Sequence, residues 1–172
     1  MSGIGFAILA GLEPRPITIV VAGERFTVRA ALADVWLQAW ARHGLAHLMG
    51  GMLSSKTDEY RWYRLMSRDP DRAAGMTTAS RQLFGKAAGC EWWVAERLAI
   101  QSVTWTGVGG ELYSQGLRPA EVPLAVWLAS AYRVMMLAAR KEDRAAIEGS
   151  LMLPPDGYDT GELPELEDIF TP

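Results

Sequence analysis

The sequence predicts a mainly α protein: a helical domain of about five to six helices, a small N-terminal β-hairpin in front of it, and an extended acidic C-terminal tail. Three observations carry this expectation. Ile17-Thr18-Ile19-Val20-Val21 and Phe26-Thr27-Val28-Arg29 are β-branched or aromatic runs flanking Ala22-Gly23-Glu24-Arg25, the composition of two strands joined by a short turn. From about Ala31 the apolar residues recur at three- and four-residue steps, the period of an α-helix. After Leu153 come six acids, Asp156, Asp159, Glu162, Glu165, Glu167 and Asp168, with no Lys or Arg and with interspersed Pro and Gly, a composition that repels itself and resists packing.

The order of elements follows from local chemistry. Pro14 and Pro16 hold the chain extended before the hairpin and withhold backbone donors at that edge. Two strands alone are unstable in water, so the hairpin must pack on helices. The first helix runs from about Ala31, with Leu32, Val35, Trp36, Ala39, Trp40, Leu45, Leu48, Met49 and Met52 as its apolar positions, and ends near Gly50-Gly51. A second, from Lys56 to Ser67, stops at Arg68-Asp69-Pro70-Asp71 because proline cannot continue the ladder. Ala73 to Ala79, with Gly75, reads as a loop. Ser80 to Val103 reads as one long helix in which Gly85 and Gly89, four apart, mark a close backbone approach. Thr106-Gly107-Val108-Gly109-Gly110 reads as a turn opening a short helix to Gly116. Another long helix runs from Leu124 to about Arg140, and a last one from Lys141 to Met152 is ended by Pro154-Pro155.

A chain of 172 residues, 49% hydrophobic, supports one core and leaves little room for a second domain. The expected layout is an apolar N-terminal arm over 1–14, one hairpin-plus-helical domain over 15–153, and the tail over 154–172. Ile4 to Leu9 has no basic residue before it and is far too short to span a bilayer, so neither a signal peptide nor an anchor is expected. That stretch either pairs with the hairpin as a third strand or reaches into a neighbour. With 17 Lys+Arg against 20 Asp+Glu, no bulk positive charge attracts nucleic acid or anionic lipid, and neither is an expected partner. The lone Cys90 forms no internal disulfide, which makes a reducing cytoplasm the simplest compartment.

No motif points to catalysis, and no cofactor or metal is expected. His43 and His47 have the spacing of two imidazoles on one helical face, but two ligands make no metal site, and the Glu of a helical zinc protease is absent between them. Gly107, Gly109 and Gly110 lack both the dinucleotide fingerprint and the Gly-Lys-Ser/Thr ending of a phosphate loop. Cys90, beside Trp92 and Trp93, reads as a buried small hydrophobe. Glu91 with Glu96 and Asp69 with Asp71 read as surface acids paired with nearby arginines rather than catalytic pairs. The aromatic and basic run from Tyr60 to Arg72 resembles a nucleic-acid surface in miniature, but Asp58, Glu59, Asp69 and Asp71 dilute its charge.

Seven Trp are out of scale for this length. Most are expected in the core, yet Trp92 and Trp93 project about 100° apart on a helix, so one narrow stripe cannot hide both. One of that pair is the best candidate for a protein interface. Leu166, Ile169 and Phe170 are the corresponding candidates in the tail, where spaced apolar residues among acids suit a short segment that orders on a partner.

The order of segments is more distinctive than any one of them. A hairpin over Ile17 to Arg29 precedes a helical domain carrying Trp92-Trp93, then Gly110-Glu111-Leu112-Tyr113-Ser114-Gln115-Gly116-Leu117-Arg118-Pro119, Leu124 to Tyr132, Lys141 to Leu151, and Leu153-Pro154-Pro155-Asp156-Gly157-Tyr158. Over roughly 15–158 this resembles the tail assembly chaperones of long-tailed phages infecting actinobacteria. The resemblance implies a helical, non-enzymatic protein of the infected cytoplasm that coats the tape measure protein and recruits tail-tube subunits around it. It also implies a frameshifted longer form of the same chain, with homo-oligomers left open. The rival class is a structural subunit retained in the virion, such as a connector, tail-completion or tail-tip component, which would favour stable symmetric interfaces.

Overall fold

The computed structural model describes Pro14 and residues 16–21, 23–67, 70–104 and 106–158. The N-terminal arm before Pro14 and the tail beyond Tyr158 lie outside the described residues. Within them the chain is mainly helical, with one two-stranded antiparallel sheet. Strands β1 (Ile17–Val21) and β2 (Glu24–Val28) pair in a register that sets Ile19 opposite Phe26 and Val21 opposite Glu24. Gly23 takes φ +77° in the connecting turn, a conformation that disfavours any residue with a Cβ.

Alternation along the strands sends Ile19, Val21, Phe26 and Val28 inward. That face is covered as the sequence demands: β1 meets α3 (Pro70–Ala88), and Phe26 meets Trp62 of α2 (Lys56–Met66) edge-on, ring centroids 5.3 Å apart. The chain leaving α1 (Ala33–Met52) returns to the hairpin. Leu53 bridges to Val28, and the Ser54 and Arg29 amides donate to Thr27 and Met52 carbonyls.

Helix α1 packs most extensively on α3. It is broken at Gly44, whose φ 64° and ψ 172° lie outside helical space. The first N–H groups of α1 are otherwise orphaned, and the 117–123 loop satisfies two of them: Ala33 donates to the Val122 carbonyl and Asp34 to that of Pro119. Helix α2 has its own cap, the Ser55 hydroxyl accepting from the Asp58 amide at 3.1 Å. Helices α4 (Trp92–Thr104), α5 (Thr106–Ser114) and α6 (Leu124–Ala138) pack on one another, and α7 (Arg144–Met152) lies against α4. Between α4 and α6 the buried Ser102 hydroxyl accepts from Trp127 Nε1 at 3.2 Å and donates to the Ala99 carbonyl, so no polar atom there is stranded.

Three sequence expectations are corrected. The 73–79 stretch is helix, because Pro70 opens α3 at a position where its missing N–H costs nothing. The single helix expected over Ser80 to Val103 is two. Gly89, at φ +72°, ends α3 with a pair of bonds, its own amide to the Lys86 carbonyl and that of Cys90 to Gly85. That is the Schellman arrangement, which needs a left-handed residue just past the helix. The Thr106 to Gly110 run is the first turn and a half of α5 rather than a turn before it. Gly109 allows a close approach there, since a Cβ would stand 3.0 Å from the Ser102 carbonyl oxygen of α4 and the two helices would have to part by a few tenths of an ångström. At the other end, Gly116 repeats the arrangement seen at Gly89, with Leu117 bonded back to Leu112.

Candidate interaction surface

Both members of the Trp pair are buried, each 7% exposed, so neither presents a ring to a partner in this structure. The two rings meet edge-on, centroids 5.7 Å apart, and share Tyr158 as a cover. Trp92 turns toward α3, where the Arg81 guanidinium lies 4.7 Å from its ring centroid. Trp93 turns toward the C-terminal segment, donating from Nε1 to the Met152 carbonyl at 3.3 Å and meeting the Tyr158 ring at 4.8 Å. Arg97 completes the clasp. Its Nη1 reaches the carbonyls of Ser150, Leu151 and Leu153, the unpaired acceptors at the C-terminus of α7, where a cation also opposes the helix dipole. The expectation that one ring stays exposed is corrected for a concrete reason: the rings cover each other and share Tyr158, while α3 and the end of α7 close over their outer sides. Leu166, Ile169 and Phe170 lie outside the described residues.

Exposed apolar side chains occur elsewhere. Leu137 is 64% exposed and Val103 53%. Between α5 and α6 an open apolar groove of about 380 Å³ is lined by Gly107, Val108, Glu111, Gln115, Val134 and Leu137. Glu111 accepts from the Gln115 amide at 2.8 Å on one wall. Outside the lining, Arg133 stands one turn before Leu137 on α6, and Arg140 and Lys141 follow the end of that helix; all three are exposed and form no ion pair among the described residues. Arg144 Nε points back to the Ala139 carbonyl at 3.4 Å, which adds a fourth cation at the same end.

The groups considered for chemistry are dispersed. His43 and His47 are both exposed and fall on opposite sides of the break at Gly44, so the spacing that would let two imidazoles meet is lost. Among the described residues no three of His, Cys, Asp and Glu gather where a metal ion would sit. Burial, aided by the Glu91 charge, pushes the Cys90 thiol up to about 12, which makes it a poor nucleophile near neutrality. Glu96 accepts from Trp40 Nε1 at 3.4 Å, and Arg61 pairs with Glu24 and Asp58 at 2.7 and 2.9 Å. Asp69 lies outside the described residues. No described helix is long and apolar enough to cross a membrane.

The described residues thus form a small helical domain with an open, largely apolar groove between α5 and α6 whose one charged lining residue is Glu111. Comparison of the chain with family models, with curated proteins and with solved structures gives no match.

Proposed function

We propose that this protein is a tail assembly chaperone of a long-tailed actinobacterial phage. It works in the cytoplasm of the infected cell on the tape measure protein and tail-tube subunits and performs no catalysis. The observation that carries the reading is the order of segments, hairpin, helical domain with Trp92-Trp93, Gly110 to Pro119, Leu124 to Tyr132 and Leu153 to Tyr158, which resembles that family. The exposed Tyr60, Ile100, Val103, Tyr113 and Leu137 are spread over four helices. Such a surface suits a chaperone for an apolar helical polymer, which works through several weak, reversible contacts on a repeating client.

Quantitative mass spectrometry of infected-cell lysate and purified virions, normalised to the major tail subunit, tests the reading. Abundance in lysate and near absence from particles is expected. Retention in particles at a fixed integral copy number refutes it and makes the protein a structural subunit of the virion.

A further inference from the structure

Three features of the molecule are left without a role by the reading above: the aromatic clasp of Trp93 and Tyr158, the α5–α6 groove, and the acidic residues beyond Tyr158. They bear on one another. The clasp fixes where the C-terminal segment departs, because Tyr158 rests on the two Trp rings at the start of α4. The fourteen residues that follow carry five acids and no base, whereas 1–158 carries all 17 Lys+Arg and a net charge of +2. The groove runs along α5, which begins where α4 ends, with Leu137 on its floor and Glu111 as its one charged lining residue; Arg133 lies one turn before Leu137 on α6, Arg140 and Lys141 follow that helix, and Arg144 points back to its end. Within 133–144 only Glu142 and Asp143 oppose those four cations.

We propose that the α5–α6 groove is the docking site of this chain's own C-terminal segment, with Leu166, Ile169 and Phe170 against Val108, Val134 and Leu137 and the segment's acids against the α6 cations. Reach permits it. The length of α4 is about 18 Å at 1.5 Å per residue, and eight extended residues from Tyr158 to Leu166 cover about 27 Å. The spacing 166, 169 and 170 puts three apolar side chains on one face of a helical turn, which matches a groove with a single apolar floor. The first thirteen residues do not fit as well, because they lead into β1, which packs on α3, and Glu13 is their only charge.

The test is hydrogen exchange on the full chain, compared with a full chain carrying Leu166→Ser, Ile169→Ser and Phe170→Ser. The tail variant is expected to raise exchange in 106–115 and 133–138 several-fold while leaving α1 to α3 unchanged. Reciprocally, Leu137→Asp and the pair Arg140→Glu with Lys141→Glu, all at exposed positions, should each remove protection from 163–170. The same protection should persist on about a hundredfold dilution, because a tethered contact does not depend on protein concentration. Equal exchange in the groove with and without the apolar tail residues overturns the proposal. So does protection that disappears on dilution, which would place the tail of a second copy in the groove.

Discussion

A single methyl group added at Gly85 tests how tightly the α3–α4 junction is closed. A Cβ there would stand 2.8 Å from both the Cys90 carbonyl oxygen and the Trp92 nitrogen, and 3.2 Å from the Trp92 Cα. All three are backbone atoms, so no side chain can swing aside. Restoring ordinary contact at about 3.5 Å requires the junction to open by about 0.7 Å. That movement pulls on the Cys90 to Gly85 bond of 3.1 Å and on the seat of Trp92 in the core. Overpacking against backbone atoms that cannot swing aside falls in the upper part of the usual range, about 2–3 kcal/mol, while replacing Gly by Ala inside a helix returns about 1 kcal/mol, so Gly85→Ala is expected to lose about 1–2 kcal/mol.

Gly75, in the same helix, provides the control. Nothing lies within 4 Å of its Cβ position and its φ is not left-handed, so Gly75→Ala is expected to gain about 0.5–1 kcal/mol. Urea unfolding followed by Trp fluorescence reads both, and in a melt each kcal/mol moves Tm by about 2–4 °C for a chain this long. A Gly85→Ala variant as stable as the parent, or a Gly75→Ala variant less stable, refutes the reasoning.

Three further outcomes are expected. Gly44→Ala meets no neighbour but forces a Cβ into a backbone region held almost only by glycine, and should cost about 1–3 kcal/mol in the same urea assay. Arg97→Met keeps the stem but removes the donor to the α7 carbonyls; hydrogen exchange in 147–153 should accelerate at least tenfold, at a stability cost of about 1–3 kcal/mol. The Cys90 thiol is raised in the folded chain from 9.0 to about 12 by burial and then by Glu91. The folded state therefore keeps a proton that the unfolded state releases, and this contribution is complete below pH 9 and is lost as pH rises from 9 toward 12. Urea midpoints measured across that window should fall more steeply for the parent than for Cys90→Ala, and parallel slopes would contradict the burial.

The hairpin, the helical period and most helix ends are legible because each is set by neighbours in sequence: Gly23 at the turn, Pro70 past the end of α2, Gly116 past the end of α5. Gly85 was also legible as a close approach, though not as the closing of a junction between two helices. Gly89 was misread because a glycine inside an apolar period is locally indistinguishable from one that ends it; the Cys90 to Gly85 bond is visible only in three dimensions. The burial of Trp93 depends on Tyr158, 65 residues away, and the Arg97 clasp is of the same kind. Leu137 lies in the last turn of α6, where Ala138 is exposed as well and the buried stripe has ended at Val134 and Met135.

The clasp at Trp93 also changes what the acidic segment must do to be held. With Tyr158 anchored on α4, residues 159–172 docked as proposed would meet the groove as a short tether, at an effective concentration in the millimolar range. A contact too weak to detect between separate molecules, with a dissociation constant near about 0.1 mM, is then mostly closed in one chain. Such affinity is what three apolar side chains and a few solvent-screened ion pairs supply. It follows that a free peptide copy of 159–172 at micromolar concentration would hardly displace the tethered one. A partner that uses the groove must then present a larger apolar face or several linked copies of one.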